Sequence, residues 1–133
     1  MNTITEDMLA YRLTSAKPFD IVVANLERLT PERQFRVLAV HDVQKTLAEK
    51  GFAYGPLKII EVCNARYAHQ ALTQTVDVSL FMPCRFCVYT EAGKTVVALA
   101  KPTMMAEMLP DAGLKEVSTQ VERELLSIMQ AAV

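Results

Sequence analysis

Ser79-Leu-Phe-Met-Pro-Cys-Arg-Phe-Cys-Val-Tyr-Thr90, Glu91-Ala-Gly93 and Lys94-Thr-Val-Val-Ala-Leu-Ala100 follow one another without a break. The outer pieces are rich in β-branched and aromatic residues, and the middle one is short with a glycine suited to a positive backbone angle. This predicts a hairpin, a long strand over about 79–90 paired antiparallel with a strand over 94–100. Pro83 marks an interruption inside the first strand, because proline has no ladder donor and is tolerated at a strand's start, its edge or a bulge.

Upstream, Leu57-Lys-Ile-Ile-Glu-Val-Cys63 reads as a strand entered through Gly55-Pro56, and Asn64 caps a helix over 65 to about 73. Its alternation sets Lys58, Ile60 and Val62 against Ile59, Glu61 and Cys63, so one face of the sheet is expected to be less completely buried. Phe35–Val40 is a further strand, followed by an Asp42 cap and a short helix, Val43–Lys50, that Gly51 stops. Met8–Thr14 forms the first strand. Ser15 and Pro18 start a helix carrying Ile21, Val22, Leu26 and Leu29 at helical spacing to near Gln34, where Pro31 ends or kinks it. Downstream of Lys101-Pro102 comes a Met-rich segment. A final helix then carries one stripe of Leu114, Val117, Val121, Leu125 and Ile128. The sum is an α+β fold, an antiparallel or mixed sheet of about five strands backed by helices on one face.

The 133 residues are the size of one domain able to bury its own core, and no repeat, linker or low-complexity tract divides them, so 1–133 is expected to be a single domain. A net charge of -1 with interleaved signs offers no electrostatic footprint for nucleic acid or an anionic membrane. The N-terminus lacks a signal's basic and apolar regions, and the expected compartment is the cytoplasm. Three cysteines are an odd number for a closed disulfide framework.

The Cys84-x-x-Cys87 spacing suggests a redox pair, but on an extended strand these positions point to opposite faces. They lie roughly 10 Å apart, beyond the roughly 7 Å Cα limit of a disulfide. Cys87 is read as a buried core residue. Cys84, between Pro83 and Arg85, has an interrupted ladder and a neighbouring positive charge that would favour thiolate. Cys63 precedes the Asn64 cap, where helix N-H groups also favour negative charge. His41 and His69 stand in unrelated local patterns, so no metal motif is present, and no phosphate loop, carboxylate pair or nucleophile elbow appears. The residues name no cofactor and do not decide whether the chain is an enzyme.

Glu61-Val-Cys-Asn64, Tyr67-Ala68, Ala71-Leu72, Leu80-Phe-Met-Pro-Cys-Arg85, Val88-Tyr89, Gly93 and Lys101-Pro102 together resemble the domain of unknown function 302 family. The likeness runs from about Phe19 to the last helix, including Asp42, Leu47 and Gly51-Phe52. It implies a small sandwich similar to the TATA-binding-protein arrangement, an antiparallel sheet backed by helices, and a homodimer. It supplies no activity. Its recurrent elements carry over as a candidate ligand site of Cys63, Asn64, Pro83, Cys84 and Arg85, and Cys87 stands where the family's pattern expects an aliphatic residue.

Three functional readings follow: a non-enzymatic or accessory homodimer that binds a small ligand near Cys63 and Cys84; a thiol-dependent sulfur carrier or redox protein using Cys84; and a purely structural dimer.

Overall fold

The computed structural model describes residues 3–133. Six strands form one antiparallel sheet: β1 (Thr5–Glu6), β2 (Ala10–Ser15), β3 (Arg36–Asp42), β4 (Leu57–Cys63), β5 (Cys84–Glu91) and β6 (Lys94–Ala100). Their spatial order is β1-β2-β6-β5-β4-β3. The expected α+β architecture is therefore present, with all pairings antiparallel and a sixth strand supplied by the two residues of β1.

The helices are α1 (Phe19–Leu29), α2 (Val43–Glu49), α3 (Ala65–Gln74), α4 (Met104–Met108) and α5 (Lys115–Ala132). α1, α3 and α5 close over one face of the sheet, where Val22, Leu26, Ala71, Val121, Leu125 and Ile128 meet Ile60, Val62, Phe86, Val88, Val97 and Leu99. Phe86, Ile60, Leu99 and Leu125 are wholly buried; each such side chain contributes roughly 1.5–3 kcal/mol. The α5 stripe foreseen from its spacing lies in this core.

The hairpin closes with Glu91 opposite Lys94, so Ala92 and Gly93 are the whole loop, both at positive φ (51° and 76°). That is the two-residue turn whose twist matches paired strands. α1 ends before Pro31, as the Thr30 hydroxyl donates to the Leu26 carbonyl at 2.6 Å, and Pro31–Arg33 form a separate 3-10 turn. The strand expected over Met8–Thr14 is β2 and begins two residues later, because the Asp7 carboxylate accepts from the amides of Leu9 and Ala10 and holds a turn there.

The long strand over 79–90 is shorter than its composition suggests. Val76–Phe81 is a 3-10 turn, opened by Thr75 accepting from the Asp77 amide, and β5 starts only at Cys84. Apolar content alone does not separate a turn from a strand. Val78 is wholly buried and Phe81 packs against the core while Leu80 is 81% exposed, so this segment does not follow strand alternation. Pro83 then supplies no ladder donor, and regular pairing begins after it.

Candidate functional site

β4 ends where α3 begins, and β5 begins beside that junction. Val62 stands opposite Cys84 in the ladder, so Cys84 faces the helices with Phe86 and Val88 while Arg85 and Cys87 face the other way. Asn64 caps α3, accepting from the Tyr67 amide at 3.1 Å, and its own amide donates to the Gln34 carbonyl at 3.1 Å. One side chain thus ties the helix start to the turn before β3.

Cys63, Asn64, Pro83 and Cys84 come together in the lining of one apolar recess of about 40 Å³. Phe35 and Tyr67, whose ring centres are 6.1 Å apart, form part of its wall, and Met82 and Met105 also line it. A second cavity of about 210 Å³ also borders Met82, Pro83, Cys84 and Met105, and reaches Arg85 and Met104. No sequence motif singles out these methionines as site residues. The signal that marks them is sulfur content near Cys84: Met82 two residues before it, and Met104-Met105 just after the Lys101-Pro102 pair.

Arg85 stands apart from the other four, outside the recess lining. It pairs with Glu61 across the strands, and its guanidinium donates to that carboxylate at 3.4 Å on the helix-free face. His41 Nε2 lies 2.9 Å from the other Glu61 oxygen. The His41 ring, with Arg85 behind it, holds the Glu61 carboxyl below its usual range. His69 is exposed on α3, and no histidine borders either sulfur-lined cavity.

All three cysteines are free thiols. Burial, helped by the neighbouring Cys63 thiol, pushes Cys84 up to about 11, and the nearby Arg85 charge is too weak to reverse it. Burial also raises Cys63 despite its place before a helix start. Neither thiol is a standing thiolate near neutral pH, unlike the thiolate that the Pro83 and Arg85 setting favours for Cys84 in the sequence. Cys87 is not the core residue expected. It is half-buried on the helix-free face, bordering a broad depression with Tyr54, Leu57, Tyr89 and Ala98, because strand alternation sends it opposite to Phe86 and Val88.

The sequence pattern of the family described as domain of unknown function DUF302 matches residues 11–132. The chain belongs to the DUF302 family. An uncharacterized conserved DUF302 protein from Bacillus stearothermophilus has a crystal structure similar to this one, at 31% identity with a TM-score of 0.90, covering 96% of this chain and 100% of that one. No functionally curated protein matches. DUF302 membership and the α+β fold therefore stand together, and neither brings an assigned activity.

Proposed function

We propose that this DUF302 chain is a single-domain, non-enzymatic accessory protein that binds a small ligand in the recess between the β4–α3 corner and the start of β5. The observation that carries it is convergence. Cys63-Asn64 and Pro83-Cys84, about twenty residues apart in sequence, line one recess whose other walls are aliphatic, aromatic and thioether side chains. Its volume is far below the roughly 300–1,000 Å³ of pockets for drug-sized molecules, so the ligand is an ion or a group of a few atoms.

A second subunit on the helix-free face is the other half of the proposal. There Ile59, Cys87 and Ala98 stand in one register row across β4, β5 and β6, all partly exposed, and an apolar row of this kind suits burial by a second copy. Reduced thiols throughout support a cytoplasmic setting. The raised thiol of Cys84 weighs against the redox reading.

Xenon, an apolar atom that enters dry cavities, tests the recess directly. In protein labelled at the methionine methyls, xenon pressure is expected to shift Met82 and Met105, and Ala68→Leu, which adds bulk to the recess wall, is expected to abolish the shifts. Unchanged Met82 and Met105 signals in the folded wild type would refute the recess as a binding site.

A further inference from the structure

Sulfur-bearing residues gather at one place in this fold. Met82, Cys84 and Met105 border both the recess and the larger cavity beside it; Cys63 adds a thiol to the first lining and Met104 a thioether to the second. Neither lining contains a carboxylate or an imidazole, and among the described residues no three His, Cys, Asp or Glu side chains converge anywhere as a ligand set. Beyond the Asn64 amide, which is engaged as the α3 cap, and the Tyr67 hydroxyl, the side-chain donors lining the recess are thus soft ones. Zinc sites and iron–sulfur clusters draw on three or four thiolate, imidazole or carboxylate ligands, which this corner lacks. Thioethers with one or two thiolates are the set that selects copper(I).

We propose that Met82, Cys84 and Met105, with Cys63 as a further donor, form a binding site for a soft monovalent metal ion, copper(I) by preference. This rests on the recess being a binding site and names its ligand. Charge agrees with the assignment. Cys84 as thiolate and one copper(I) make a neutral pair, the form an apolar recess accepts without an uncompensated charge. The nearby cations are already engaged, Arg85 with Glu61 and Lys101 with Glu6. The step involves no oxidation: the Cys84 S–H bond breaks, a Cys84 sulfur–copper bond forms, and the proton leaves to solvent. Binding is therefore proton-coupled, and affinity rises with pH. The strands and helices that hold the sulfurs are separate elements, since Met82 and Cys84 flank the entry to β5, Met105 belongs to α4 and Cys63 ends β4.

The test is an anaerobic competition in which the reduced full chain and bathocuproine disulfonate share a limited supply of copper(I). One copper(I) per chain is expected, with X-ray absorption showing only sulfur in the first shell. Cys84→Ser is expected to weaken binding on the order of 100-fold, and the volume-conserving Met82→Leu and Met105→Leu each about 10-fold. Cys87→Ser, on the opposite face, is expected to change nothing. Folding of each variant is checked by its melting temperature, and the two Met→Leu variants keep the test alive if Cys84→Ser does not fold. Failure to compete, a nitrogen or oxygen first shell, or equal loss on Cys87→Ser overturns the inference. Xenon shifts at Met82 and Met105 without copper(I) binding would sink the metal and leave the recess; loss of both would sink the recess reading as well.

Discussion

Cys84 illustrates how one position's chemistry depends on its surroundings more than on its neighbours in sequence. Arg85 follows it and Pro83 precedes it, a setting that favours thiolate on paper. The ladder sends Arg85 to the other face, and dense packing around Cys84 raises the thiol to about 11 although the residue itself is only partly buried. Alkylation by iodoacetamide is expected to be slow at pH 8 and to accelerate toward pH 11; a rate equal to that of a free thiol near neutrality would contradict the buried setting. Stability follows with a fixed sign. The fold prefers the neutral thiol, so this contribution is whole below the ordinary thiol value of 9.0 and is lost as pH rises through about 11. Wild type is expected to lose about 2 kcal/mol more than Cys84→Val between those limits, measured by urea unfolding at each pH. Equal pH dependence in the two proteins would contradict it. Cys87 shows the converse. Its composition reads as core, and alternation makes it a half-buried residue of the opposite face.

At the scale of elements, the caps and turns were legible in the sequence because their chemistry is local. Asp42 accepts from the Lys45 amide and Asn64 from the Tyr67 amide, both as their positions predict. The Glu91–Lys94 turn falls where its glycine places it. Asn64 does more than cap, since its amide also satisfies the Gln34 carbonyl, a partner thirty residues away that no local pattern discloses. Asn64→Ala is expected to cost about 1–2 kcal/mol. Asn64→Asp is expected to recover only part of it, because a carboxylate keeps the cap and loses the donor. Chemical denaturation of the three proteins checks this, and full recovery by Asp would show that the Gln34 bond contributes nothing. Residues 79–81 read as strand in sequence but belong to the 3-10 turn for a related reason. The segment's apolar residues fit either structure, and only the buried Val78 beside the exposed Leu80 shows which the core requires.

For the whole molecule, the sheet buries one face under α1, α3 and α5 and leaves Ile59, Cys87 and Ala98 partly open on the other. The proposed dimer covers that second face, and a stable pair needs about 1,200–2,000 Å² of buried surface. Light scattering is expected to give twice the 14.8 kDa chain mass for wild type and a monomer for Ala98→Arg, which sets a charge at the β6 end of the row. A monomeric wild type at micromolar concentration would remove the dimer from the proposal and leave the recess untouched. No described helix is long and apolar enough to cross a membrane.

The amino-acid sequence by itself determined the five longer strands, the Asp42 and Asn64 caps, the hairpin and the opposite facing of Cys84 and Cys87, because each depends on residues within a turn or two of one another. Tertiary structure alone decided what Cys84 faces. The Val62–Cys84 register brings Cys63 and Asn64 to it, and the packing of α4 and α5 brings Met105. Those contacts join segments twenty or more residues apart, and they are fixed by burial of the common core, which no local spacing encodes.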